Sequence, residues 1–167
     1  MAETMVRMGE YAFSATAGDM LVSLGLGSCI GLALLDRRAT VAGLAHVVLP
    51  AAEGREGSPG KFADTAVPVL LDAVLALGAR RMRLEAVLVG GASMFAFGGN
   101  GLEVGQRNDA AVREELTKLR IPVRAADTGG SKGRTVRVDI ATGLVTSKAA
   151  GEAEVELYPA TPVKVAA

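Results

Sequence analysis

Apolar residues fall into short runs separated by polar or glycine-rich breaks, with strand-like alternation in some places and helical spacing in two. The clearest pair of runs is Ile30 to Leu35 and Val41 to Leu49, separated by Asp36-Arg37-Arg38-Ala39. Two apolar runs across so short a polar break predict a β-hairpin. A turn centred between Arg37 and Arg38 sets Cys29 directly opposite His46. One added turn residue would put them on opposite faces. Upstream, Glu10 to Ser23 reads as one or two strands around a turn at Ala17-Gly18-Asp19, and Leu24 to Ser28 as a glycine-punctuated loop.

Beyond the hairpin, Pro50 to Gly60 has the Gly, Pro and charge content of a mobile surface loop beside the His46 strand. Ala63, Val67, Leu70, Leu71, Val74 and Leu77 recur at helical spacing, predicting a helix over 61–77 with Gly78 as its C-cap. Pro68 fits only a first turn, so this helix begins near Asp64 or kinks. Leu84 to Val89 reads as a buried strand ending in Gly90-Gly91. Asn108 is expected to cap a second helix with Val112, Leu116 and Leu119 on its apolar face. Ile121 to Ala126, Thr135 to Ile140, Leu144 to Lys148 and an edge segment Val155 to Tyr158 complete the strands, and the tail beyond Pro159 is expected to fray. Strands outnumber helices and several join through short turns. The expectation is an α/β layered sandwich of mixed or antiparallel sheet with two main helices.

A chain of 167 residues, 50% apolar and 22% charged, fits a single domain over 1–167, with its core at about 8–158. Eighteen basic residues balance eighteen acidic ones, which gives no general attraction to nucleic acid or anionic lipid. No apolar stretch reaches membrane-spanning length, and Met1 to Tyr11 lacks the apolar core of a secretory signal. A cytoplasmic protein is expected. One cysteine cannot form an internal disulfide, and with one histidine it leaves a metal site short of ligands. No cofactor is expected.

A lone Cys or a lone His is more often structural than catalytic. Here Cys29 follows a Gly-x-Gly-Ser loop, the register brings His46 to its face, and a loop opens four residues after His46. An imidazole beside a thiol can take its proton and later return it to a leaving group. A free thiol is only a few per cent thiolate near neutrality, so the base's main task is to raise that fraction. Ser23 is the candidate to orient the imidazole through its second nitrogen, and backbone N–H groups at Gly27 and Ser28 are candidate oxyanion donors. The Gly25, Gly27, Gly31 spacing does not match a dinucleotide fingerprint. Gly129 to Arg134 lacks the ending of a phosphate loop and reads as an exposed turn with incidental basic residues. Gly98 to Gly101 reads as a surface turn.

Leu24-Gly25-Leu26-Gly27-Ser28-Cys29, Ala45-His46-Val47-Val48-Leu49-Pro50 and Pro59-Gly60-Lys61-Phe62-Ala63-Asp64-Thr65-Ala66, followed by Gly90 to Phe95, Gly105-Gln106-Arg107-Asn108 and Asp127 to Gly130, resemble the CheD family of chemoreceptor glutamine deamidases. The resemblance runs from about Met8 to Tyr158. It implies an α/β sandwich, a cysteine-nucleophile amidohydrolase of the protein-glutamine glutaminase type, and catalytic roles for Cys29 and His46. The third catalytic position, usually Thr, falls on Ser23. The implied substrate is glutamine on the cytoplasmic helices of chemotaxis receptors, with a CheC-type phosphatase as a possible partner; specificity for protein glutamine is expected from a helix docked across the site, supported by the Pro50 to Gly60 loop and the Met94-Phe95 region. Two other readings stay open: a non-enzymatic module that binds such a phosphatase, and a receptor glutamyl methylesterase.

Overall fold

The computed structural model of the chain describes residues 2–93 and 103–160. Ten strands and two helices form three layers. β1 (Glu3–Met5), β3 (Met20–Leu26), β8 (Arg134–Asp139), β9 (Val145–Ala149) and β10 (Val155–Tyr158) make one five-stranded sheet in the order β1-β3-β8-β9-β10. β2 (Tyr11–Ser14), β5 (Val41–Val47), β4 (Ile30–Asp36), β6 (Glu85–Gly90) and β7 (Val123–Thr128) make the other, in the order β2-β5-β4-β6-β7. Both are mixed: β1 runs parallel to β3 and β7 parallel to β6, and the remaining pairs are antiparallel. Helices α1 (Ala63–Ala76) and α2 (Val104–Lys118) cover the outer face of the second sheet. This is the layered α/β sandwich that the pattern of runs predicts.

β4 explains why its run is continuously apolar instead of alternating. It lies mid-sheet in the middle layer, so both of its faces are covered. Ile30, Leu32 and Leu34 pack with Val67, Leu70, Val112 and Leu116 of the helices, while Ala33 and Leu35 pack with Leu21, Val136 and Val138 of the facing sheet. Gly31 belongs to that second face. A Cβ there would lie 2.9 Å from Leu26 Cδ1 and 3.0 Å from Val136 Cγ1, so only glycine lets the two sheets approach this closely.

Several boundaries differ from expectation for identifiable reasons. The β4–β5 turn is centred between Arg38 and Ala39, with Asp36 paired to Val41 and residues 37–40 in the loop. Asp36 is a strand residue. Its buried carboxylate receives the Ala39 N–H at 3.1 Å, the Arg80 N–H at 2.8 Å and the Arg83 guanidinium at 2.9 Å. These partners hold the acid in the sheet and move the turn one residue further along the chain. The segment Leu24 to Ser28 is not wholly loop: β3 continues to Leu26 across an irregularity between Ser23 and Leu26, leaving residues 27–29 as the turn into β4. In α1, Pro68 is the sixth residue, beyond the first turn where it sits without loss, and its missing N–H leaves the exposed Asp64 carbonyl without the usual partner. Gly78 follows α1 at φ 105°, its N–H donating to Leu75 O at 3.0 Å. α2 begins four residues before Asn108, with Glu103 at its N-cap. The expectation that Asn108 caps this helix is therefore wrong. The Gly98 to Gly101 turn, the Met94-Phe95 region and most of the expected frayed tail lie outside the described residues.

Candidate active site

Cys29 is the last residue before β4, and His46 is the penultimate residue of β5. The register pairs His46 with Gly31, not with Cys29, so the expected direct opposition is corrected by two positions. A shift of two preserves the face. Cys29 clusters with Val87, Val89 and Leu44 in the core between the sheets, on the side of β4 where Gly31 sits, two residues before the partner of His46. Gly31, the residue paired with His46, adds no side chain on that face.

Nδ1 of His46 lies 3.0 Å from Val6 O, and a carbonyl only accepts, so Nδ1 carries the hydrogen. Nε2 then holds the lone pair. It is buried and has no hydrogen-bond partner among the described residues. Burial pulls the imidazole below its ordinary pKa, against the raising effects of the Val6 bond and Glu10. The same cause pushes the Cys29 thiol up. Both shifts favour the uncharged forms of the thiol and the imidazole.

Ser23 is fully buried, and its hydroxyl donates to Val6 O at 2.8 Å. It therefore meets the imidazole through a shared carbonyl instead of bonding its second nitrogen. Val6 follows the short edge strand β1, whose pairing to β3 delivers that carbonyl between the sheets. A hollow of about 420 Å³ opens beside it, lined by Met5, Val6, Arg7, Met8, Leu24, Gly25 and His46. Cys29 is 7% exposed and is not part of that lining.

The turn carrying Cys29 is held by its carbonyls. Gly27 O accepts from Ala92 N at 2.8 Å, Cys29 O from Gly91 N at 2.9 Å, and Ser28 O from Asn108 Nδ2 at 2.9 Å. Gly90, at φ 116°, makes the close approach behind this turn possible, since a Cβ there would run into the Cys29 carbonyl. Among the described residues the amides of Gly27, Ser28 and Cys29 donate to no acceptor. No group of three or more His, Cys, Asp or Glu able to hold a metal occurs among the described residues.

The chain matches the family model CheD, described as CheD chemotactic sensory transduction, over residues 48–149. It is 42% identical over 158 residues to a probable chemoreceptor glutamine deamidase CheD of Pyrococcus horikoshii, covering 93% of this chain and 97% of that one. The chemoreceptor glutamine deamidase CheD of Thermotoga maritima is 42% identical over 154 residues, with 92% and 96% covered. The chain belongs to the CheD family. A probable CheD of Clostridium botulinum is 44% identical over 137 residues, with 80% and 85% covered. Among solved structures, Neisseria meningitidis protein NMB0706, of family DUF152, gives a TM-score of 0.48 at 13% identity over 76% of this chain and 62% of that one.

Three groups at the CheD site escape a reading of side-chain patterns. The Val6 carbonyl has no sequence signature, because every residue carries one. Asn108 resembles a helix cap by type, but its carboxamide is fully buried and bridges Ser28 O and Val48 O, both at 2.9 Å. Arg134 is not an incidental base on an exposed turn. Its side chain is 10% exposed, pairs with Asp127 at 3.3 Å and donates to the Gly129 carbonyl, fixing the ends of β6 and β7 behind the cysteine turn. Asp127 also takes the Ser147 hydroxyl at 2.7 Å, and this acid followed by Gly129-Gly130 is the signal that marks Arg134 as built in.

Proposed function

We propose that this CheD-family chain is a protein-glutamine deamidase that converts glutamine side chains of chemotaxis receptors to glutamate, with Cys29 as nucleophile and His46 as the single acid and base. The observation that carries this reading is the imidazole at the hollow. Its Nδ1–H is committed to Val6 O, its Nε2 lone pair has no partner among the described residues, and the chain's one thiol lies two residues before Gly31, the strand partner of His46.

In the first half-reaction Nε2 takes the thiol proton as Sγ bonds to the carboxamide carbon, and the carbonyl oxygen becomes an oxyanion received by the unpaired amides of the 27–29 turn. Collapse breaks the C–N bond, and the imidazolium gives its proton to the departing nitrogen, releasing ammonia. A thioester remains. Water then loses a proton to Nε2 and attacks, and the C–S bond breaks with the proton returned to sulfur, leaving glutamate and the free thiol. Burial disfavours the charged forms of both groups, so proton transfer accompanies attack. Ser23 acts on the base through Val6 O, helping to fix that carbonyl from the side opposite its own chain.

The cytoplasm is the compartment in which the receptor helices named by the resemblance are met. No helix among the described residues is long and apolar enough to cross a membrane. A CheC-type phosphatase remains the partner that the resemblance implies. Mass spectrometry of a receptor cytoplasmic fragment incubated with wild type and with Cys29→Ala tests the reading. The amide-to-acid mass change and ammonia are expected with wild type only. Equal conversion by Cys29→Ala would refute it, and methanol release from a methylated fragment in place of ammonia would favour esterase chemistry.

A further inference from the structure

We infer that Asn108 is a positioning residue that holds the Ser28–Cys29 peptide with its N–H turned toward the reacting carbonyl, an inference that rests on the deamidase reading above. The β4–β5 ladder ends at Ile30 and Val47. One step further the strands part, and there the Asn108 amide spends its two hydrogens on Ser28 O and Val48 O, both at 2.9 Å. A single nitrogen on α2 thus ties the chain entering the nucleophile to the chain leaving the base.

A trans peptide sets its C=O and its N–H in opposite directions. Pinning Ser28 O toward α2 therefore turns the Cys29 N–H away from α2, and pinning Gly27 O on Ala92 N does the same for the Ser28 N–H. Neither amide has an acceptor among the described residues, which is the state an oxyanion site needs before substrate arrives. The Ala92 bond comes from the backbone and survives any point substitution except proline. The Ser28 carbonyl depends on a side chain.

Among the described residues Asn108 Oδ1 is buried with no partner, so what this side chain gives the turn is its two donated hydrogen bonds.

The experiment uses full-length wild type, Asn108→Ala, Asn108→Ser, which keeps one donor, and Asn108→Asp, which keeps the shape without the amide donors. Each is measured for steady-state deamidation of the receptor fragment, for Cys29 alkylation by iodoacetamide across pH, and for thermal unfolding. Alkylation needs the thiol but no oxyanion site, so it separates the two roles. In Asn108→Ala, kcat is expected to fall about 100-fold, the size of a lost oxyanion donor, with KM held within about threefold. The alkylation rate and its pH profile stay within about twofold of wild type. Asn108→Ser falls between the two, and Asn108→Asp is at least as impaired as Asn108→Ala. Unchanged kcat in folded Asn108→Ala overturns the inference, as does a parallel fall of deamidation and alkylation, which would mean general collapse of the turn. Unfolding of all three variants would make Asn108 a stability residue and overturn it too. Wild type that fails to deamidate would instead sink the underlying reading.

Discussion

Burial holds the His46 imidazole below its ordinary value, so with His46 as the base kcat/KM should hold down through about pH 6.5, where a free histidine is half protonated, and fall only at lower pH. A profile already falling above pH 7 on its acid side would contradict this assignment of the base. The same burial makes folding proton-linked: the unfolded imidazole takes a proton that the folded one resists, so stability is lost as pH drops below about 6.5. Ser23 offers a graded test, because it acts through the Val6 carbonyl. Ser23→Ala removes one neutral hydrogen bond of about 1 kcal/mol and should lower kcat about fivefold, while Ser23→Thr keeps a hydroxyl and should stay near wild type. Cys29 and His46 stand out as candidates in the sequence because each is the only residue of its kind in a pattern of strands. Val6 does not, since its contribution is a main-chain oxygen with no residue type attached.

The hairpin that holds His46 and follows Cys29 was readable as an element but not in its register. Asp36 resembles a turn residue by composition. It becomes a strand residue because Arg83, together with the Arg80 and Ala39 amides, meets its carboxylate inside the sheet. No local pattern reveals partners 44 and 47 positions away. The displacement was an even number of residues, so the face assignment of Cys29 and His46 survived it. Gly31 is where this packing is most sensitive. Gly31→Val would drive a side chain into Leu26 and Val136, costing about 1–3 kcal/mol in urea unfolding and activity with it. Unfolding at the wild-type denaturant midpoint would show that the sheets have room to spare.

Across the three layers, the site draws on pieces distant in the chain: the residue after β1, the end of β3, the turn into β4, the end of β5 and the second turn of α2. Sequence periodicity foretells the layers, since buried faces repeat at strand or helix spacing, but it does not foretell which ends converge. Asn108 was misread for that reason, its type fitting a cap better than a clamp. Far from the site, the Asp36–Arg83 pair ties the β4–β5 hairpin to the start of β6. Burial raises the Asp36 carboxyl, but hydrogen bonds from Arg83, Arg80 and Ala39 outweigh it and leave the group below its usual range. Its stabilisation is therefore complete above about pH 3.9 and is lost as pH falls through the lower folded-state value. Asp36→Ala should cost about 2–4 kcal/mol at neutral pH, with Arg83, partly exposed, recovering some hydration. It should also flatten the acid limb of a plot of unfolding free energy against pH, and an unchanged limb would assign that limb to other carboxylates. The Val6 carbonyl carries a consequence of another kind. A saturation library at codon 6 will reshape what surrounds the imidazole, yet every member retains the same acceptor. Genetic screens will therefore report Val6 as a packing position, and only backbone chemistry, such as an ester or thioamide placed at that linkage, can uncover its part in aiming the base.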